Sequence, residues 1–195
     1  MKKIDLCPDR GWYFSQLNNE QDPKIACQAT TATQIIALID DIEILRKAGS
    51  FKQPEDNLRA FCKSPEMMAF CIKSHGKDWN NYVYHPSEWA DVLVLAINTL
   101  MGYKCARYVD PITIDNIQQD LDNGIPVQVC MRFPALKIAG HYISVVGYFE
   151  NGDLLINDPY RNWLHDKQDG YHVRYTLEDW DKHSKRYGLR FSKRI

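Results

Sequence analysis

The chain has 195 residues, 45% of them hydrophobic and 25% charged, with a formal net charge of −1. That length fits one domain, 1–195, able to bury a real core. Near-neutrality excludes an electrostatic case for nucleic acid or for acidic membrane surfaces as partners. No apolar run approaches the roughly 18 residues that span a bilayer, so no membrane insertion is expected. The opening MKKIDLCPDR has two lysines but no apolar stretch behind them, so no signal peptide is readable. These features lead us to expect a cytoplasmic protein whose six cysteines are reduced thiols. There is no CxxC pair, and Cys62, Cys71 and His75 match no zinc spacing, so neither a metal nor a cofactor is expected.

In chain order, Gly11 to Glu20 reads as an extended leading segment, punctuated by Asp22-Pro23. A helix begins at Cys27. Ile35, Leu38, Ile39, Ile42 and Leu45 give it one apolar face, Arg46 and Lys47 suit its negative end, and Gly49 supplies a stop. Residues 54 to 74 suggest one or two shorter helices, with Pro54 and Pro65 in first turns. Gly76 to Pro86 reads as an aromatic loop whose Trp79, Tyr82 and Tyr84 either line a cleft or cover a core edge.

Ser87 to Met101 is a helix with Ser87 as its cap and Trp89, Val92, Leu93 and Ala96 as its buried stripe. Thr113 to Leu121 is a short amphipathic helix ending at Asn123-Gly124. Three strand-like runs follow: Ile125 to Met131, Tyr142 to Phe149, and Leu154 to Asn157, the last closed by Asp158-Pro159. A final helix spans Thr176 to Lys185, and the basic terminus (Lys185, Arg186, Arg190, Lys193, Arg194) reads as a solvated face. Helices first and an antiparallel sheet second give an α+β plan.

Cys27 would sit in the first turn of the main helix, where unpaired N–H groups and the dipole favour a thiolate. His141 opens one strand and Asp158 closes the next. Together the three can form a nucleophile, a base and its orienter, with Asn157 as a substitute for the acid. One geometric condition attaches to this arrangement. A tight turn at Asn151-Gly152 would set Asp158 opposite Val145, roughly 13 Å from His141. The pair therefore needs a longer loop or a bulge, with Gly147 as a place for one. The other histidines (75, 85, 165, 172 and 183) show no partner pattern and read as surface residues.

The order Cys, His, acid, with helix before sheet, resembles the layout of papain-like cysteine peptidases. The match narrows through Gln16, Cys27 with Thr30, Gly124 with Pro126-Val127, Gly140-His141-Tyr142 and Asp158-Pro159. These are similar to the bacteriocin-processing (double-glycine) peptidase-like branch, and they leave about residues 48 to 120 unmatched. Where many of that branch carry Cys-Gly-Pro-Thr, this chain has Cys27-Gln28-Ala29-Thr30.

The resemblance implies a papain-like fold and hydrolysis of a peptide-type bond, in protein or in a peptidoglycan stem peptide, through an acyl-enzyme. It also implies an oxyanion donor. Gln21 lies six residues before Cys27, the papain spacing, and Gln16 lies within Ser15-Gln16-Leu17-Asn18-Asn19, the branch pattern; both stay open, with Gln16 preferred. An inactive binding or scaffold domain and an acyl transferase are the alternatives. A phage-type lysin released by other proteins is compatible with the same residues.

Overall fold

The computed structural model describes residues 1–76, 89–133, 140–162 and 169–194. The elements in chain order are β1 (Lys2–Asp5), α1 (Cys27–Ile39), α2 (Glu43–Lys47), α3 (Pro54–Phe61), α4 (Pro65–His75), α5 (Ala90–Met101), β2 (Ala106–Val109), α6 (Ile114–Asp122), β3 (Val127–Met131), β4 (His141–Phe149), β5 (Leu154–Asn157), β6 (Val173–Tyr175), α7 (Leu177–His183) and β7 (Ser184–Phe191). The architecture is α+β, with an antiparallel sheet ordered β2-β7-β3-β4-β5-β6 and β1 added to β4.

The main helix is shorter than its apolar period predicts. It stops at Asp40, which is extended (φ −152°, ψ −173°). The Asp40 carboxylate takes the Asp41 N–H at 2.7 Å and the Tyr103 hydroxyl at 2.6 Å. Short acidic side chains that bond nearby backbone compete with the helical ladder in this way. The apolar face survives the break, since Ile35 and Ile36 of α1 and Leu45 of α2 share one core with Leu58, Met67, Leu93 and Ile97.

The two prolines stand at the first positions of α3 and α4, where a missing N–H costs nothing. Thr113 caps α6 and Thr176 caps α7, each through a reciprocal box with the residue three on. Ser87, read as the cap of α5, lies outside the described residues, as do Trp79, Tyr82, Tyr84, His85 and His165.

Strands β3 to β5 are covered on both faces. Leu189 and Phe191 of β7 face the helical core, whereas Val127, Val129, Ile143, Val145 and Ile156 share a second core with Ile117 and Leu121 of α6 and Trp180 of α7. The basic terminus is only in part a solvated face. Arg186, Lys193 and Arg194 are exposed, but Lys185, Arg186 and Arg190 lie in β7, which enters the sheet between β2 and β3. Arg190 points from it to Asp120 of α6, with Nε and Nη2 at 2.6 and 2.5 Å from the carboxylate.

The register of β4 against β5 decides the site. Ser144 faces Asn157 and Val145 faces Ile156, but Gly147 faces Leu155. Val146 is therefore an extra residue, a bulge in β4. Gly147 also faces Asp5 of β1, and a Cβ on it would lie 2.2 Å from the Ile4 carbonyl oxygen. Only glycine lets β1 close onto β4 there.

Candidate active site

Cys27 is the first residue of α1, and Ala26 before it offers no side-chain cap. The positive end of the helix is thus directed at the thiol and at whatever binds beside it. This first turn is pinned from three sides. Gln128 of β3 donates through Nε2 to the Gln28 carbonyl at 2.7 Å and to Thr31 Oγ1 at 2.5 Å. Ser144 of β4 donates to the Thr31 carbonyl at 3.4 Å. Asn19 of the leading segment donates through Nδ2 to Thr30 Oγ1 at 3.2 Å. A buried helix carrying five polar residues along its first two turns is stable only because such partners exist.

His141 opens β4 opposite Met131 and is 2% exposed. Its Nε2 lies 2.6 Å from Asp158 Oδ1. That leaves Nδ1 as the ring nitrogen for the thiol. Burial lowers the imidazole pKa, but the Asp158 carboxylate and the interaction with Cys27 raise it by more, to about 10. Phe133 packs against the ring with centroids 6.0 Å apart.

Asp158 is fully buried. Its Oδ1 also accepts the Tyr160 N–H at 3.0 Å, its own N–H donates to the Gly170 carbonyl at 2.8 Å, and its carbonyl accepts the Tyr13 hydroxyl at 2.6 Å. Gly170 is required here too, because a Cβ would lie 2.0 Å from the Asp158 carbonyl oxygen. Asn157, the substitute orienter, points elsewhere: its Nδ2 donates to Cys7 Sγ at 3.3 Å and its Oδ1 accepts the His172 N–H at 3.0 Å.

The two candidate oxyanion donors part company. Gln16 is buried, and its backbone N–H donates to the Pro159 carbonyl at 2.8 Å, which sets it beside the Asp158 turn. Its Nε2 donates to the Pro23 carbonyl at 2.6 Å and retains a second hydrogen. Gln21 is half-buried and is held through its backbone N–H on Asp56 of α3 at 3.1 Å.

Several contributors went unread in the sequence. Gln128 was legible in principle, as one amide inside a Val-rich strand. Tyr13 lies in the Gly11–Glu20 leading segment with no local signal that its hydroxyl reaches Asp158. His172 and His183 are not free surface residues: His172 stacks on Tyr171 at 3.9 Å and lies 3.3 Å from Asp5, while His183 is buried, with Nδ1 3.1 Å from the Arg132 carbonyl oxygen. All six cysteines are buried free thiols. Among the described residues no group of three or more His, Cys, Asp or Glu is placed to hold a metal ion, and no helix is long and apolar enough to cross a membrane.

The model of the Peptidase_C39 like family matches residues 12–187. The chain belongs to this family. Membership in the Peptidase C39-like family carries with it a cysteine-peptidase type of function and agrees with the papain-like α+β layout. The family match begins at Trp12 and so leaves out β1, Cys7 and Arg10, which pack against β4 and the segment around Asp169 and Tyr171. No curated protein matches the chain.

Proposed function

We propose that the protein is a cysteine peptidase or amide hydrolase working through Cys27, His141 and Asp158. The observation that carries this reading is the 2.6 Å contact between His141 Nε2 and Asp158 Oδ1, made next to a cysteine at the start of a helix. With Nε2 committed to the acid, Nδ1 takes the thiol proton, and the Cys27 thiolate attacks the carbonyl carbon of the substrate amide. The oxyanion is held by the Cys27 N–H and the Gln16 amide. The imidazolium returns its proton to the leaving amine, and water then resolves the thioester with His141 as base. The substrate class is a peptide, in protein or in a peptidoglycan stem, and the reaction calls for no cofactor.

A second reading has its own support. Cys27 is 9% exposed, and the Gln16 amide is engaged on the Pro23 carbonyl, as expected of a domain that keeps the fold for binding without turnover. Limiting iodoacetamide at mildly acidic pH separates the two, with adducts mapped by mass. An ordinary thiol, with a pKa near 8.5, labels slowly there, whereas an imidazole-paired thiolate stays reactive. Fast labelling confined to Cys27 and lost in His141→Ala supports the hydrolase. Slow labelling that ignores His141 supports the scaffold.

A further inference from the structure

A cleft of about 420 Å³ opens on the seam between helices and sheet. His75 of α4 with Trp89, Ala90 and Asp91 at the start of α5 form its helical wall, and Tyr108 of β2, Tyr142 of β4 and Tyr187 of β7 form its sheet wall. Cys27 and His141 belong to the same two halves and meet across the same seam. Tyr142 follows His141 directly and faces Cys130. Its hydroxyl is held well above the usual phenol range by burial first, then by Cys130, Tyr187 and Cys27. The cleft therefore ends close to the nucleophile. Its size lies within the roughly 300–1,000 Å³ of sites that take small-molecule groups.

The cleft's surface chemistry is selective. Asp91 is already partnered, with His75 Nε2 at 2.8 Å and the Val92 N–H at 2.9 Å. Tyr108 donates to Asp110 at 3.4 Å, and the Tyr187 hydroxyl accepts from Lys185 at 3.4 Å. With Asp91 held by His75 and the Tyr108 and Tyr187 hydroxyls engaged by Asp110 and Lys185 outside the lining, a charged side chain entering the cleft gains little for its desolvation. What remains on offer is ring surface. Tyr187 meets Tyr108 at 6.0 Å and 45°, and Tyr142 at 6.5 Å and 62°, while His75 tilts against Trp89 at 4.4 Å. One more planar ring extends that offset and edge-on pattern favourably.

We infer that this cleft is the specificity subsite of the proposed hydrolase and takes an aromatic side chain of a peptide substrate. The inference rests on the catalytic reading above, and its test tells failure of one from failure of the other.

The test compares N-acetyl chloromethyl ketones of phenylalanine, alanine and lysine, which alkylate a pocket-adjacent thiolate with loss of chloride. The readout is the rate of the Cys27 adduct by intact mass. The phenylalanyl reagent should label wild type about tenfold or more faster than either of the others. In Tyr187→Ala, which removes one wall, that ratio should fall to about twofold or less. Ala90→Trp, which fills the cleft from a half-exposed position without emptying a core, should do the same. Equal or lysine-led rates in wild type would overturn the inference, as would a ring preference that survives both variants. If Cys27 labels in a His141-dependent way without ring preference, the subsite alone is wrong. If labelling ignores His141, the catalytic reading fails and the subsite with it.

Discussion

Asp158 reaches His141 diagonally, because Val146 is an extra residue in β4. The Ser144–Asn157 pairing sets Asp158 level with Ile143, one alternation from His141 on the same face, and the side chains close the rest of the gap to 2.6 Å. Without the bulge the Tyr148–Leu154 register would set Asp158 opposite Ser144, on the other face of the sheet from His141. The carboxylate fixes the imidazole tautomer and balances its charge. Asp158→Asn keeps the shape and loses both, so turnover should fall by about 10²–10⁴-fold. Labelling of Cys27 at mildly acidic pH should slow in parallel while thermal unfolding stays cooperative. Unchanged labelling would assign the orienting role to another group.

The raised pKa of His141 predicts a split between two pH profiles. The pKa is about 10 in the folded protein and near 6.5 unfolded, so the imidazolium is present at neutral pH and is lost in the folded protein as pH rises through about 10. Amide hydrolysis needs that proton for the leaving amine, so its alkaline limb should lie well above the free-imidazole value. Alkylation by iodoacetamide needs only the thiolate and should not fall along that limb. The same sign governs stability: the favourable imidazolium–carboxylate contact is fully present below pH 6.5 and fades as pH climbs toward about 10. Two superimposable profiles would rule out His141 as the proton donor.

Gln16 and Gln21 give a clean comparison. Gln16 is buried against the Pro159 carbonyl, whereas Gln21 is half-buried and anchored by its backbone on Asp56. Gln16→Ala should lower kcat by about 10²–10³-fold with little change in KM, the pattern of a donor used only in the transition state. Gln21→Ala should stay within about threefold of wild type, since the contact that holds this residue is made by its backbone. The reverse order of effects would move the oxyanion donor to Gln21.

Much of this site was legible in the sequence, because local signals carry it: a cysteine after Asp-Pro punctuation, Gly-His-aromatic at a strand start, and Asp-Pro at a strand end. The need for a longer loop or a bulge followed from counting residues along two strands, and the structure has both: a three-residue turn over 150–152 and an extra residue at Val146, beside Gly147. What was not legible depends on distant partners. Ser184–Phe191 looks like a charged tail, and it becomes a strand because β2 and β3 flank it and Asp120 receives Arg190. The break at Asp40 depends on Tyr103, which lies far along the chain. His183 looked like a surface histidine because nothing near it in sequence announces Phe133, 5.8 Å away.

Glu55 offers a test of stability independent of catalysis. It is 0% exposed at the start of α3, and among the described residues neither carboxylate oxygen meets another side chain or cation; only its own backbone N–H lies near. Burial, partly offset by the residue's own backbone N–H and helped least by the nearby Asp56 charge, pushes its pKa up from 4.5 to about 7. An acid that binds its proton more tightly when folded stabilises the fold below pH 4.5 and loses that contribution as pH rises toward 7. The full loss is about 3 kcal/mol. Glu55→Gln cannot ionise, so it should match wild type near pH 4 and exceed it in Tm by several degrees near pH 8. The measurement is the Tm of both proteins across that range. A difference that does not change with pH would mean that Glu55 is not ionising in a buried, unpaired site.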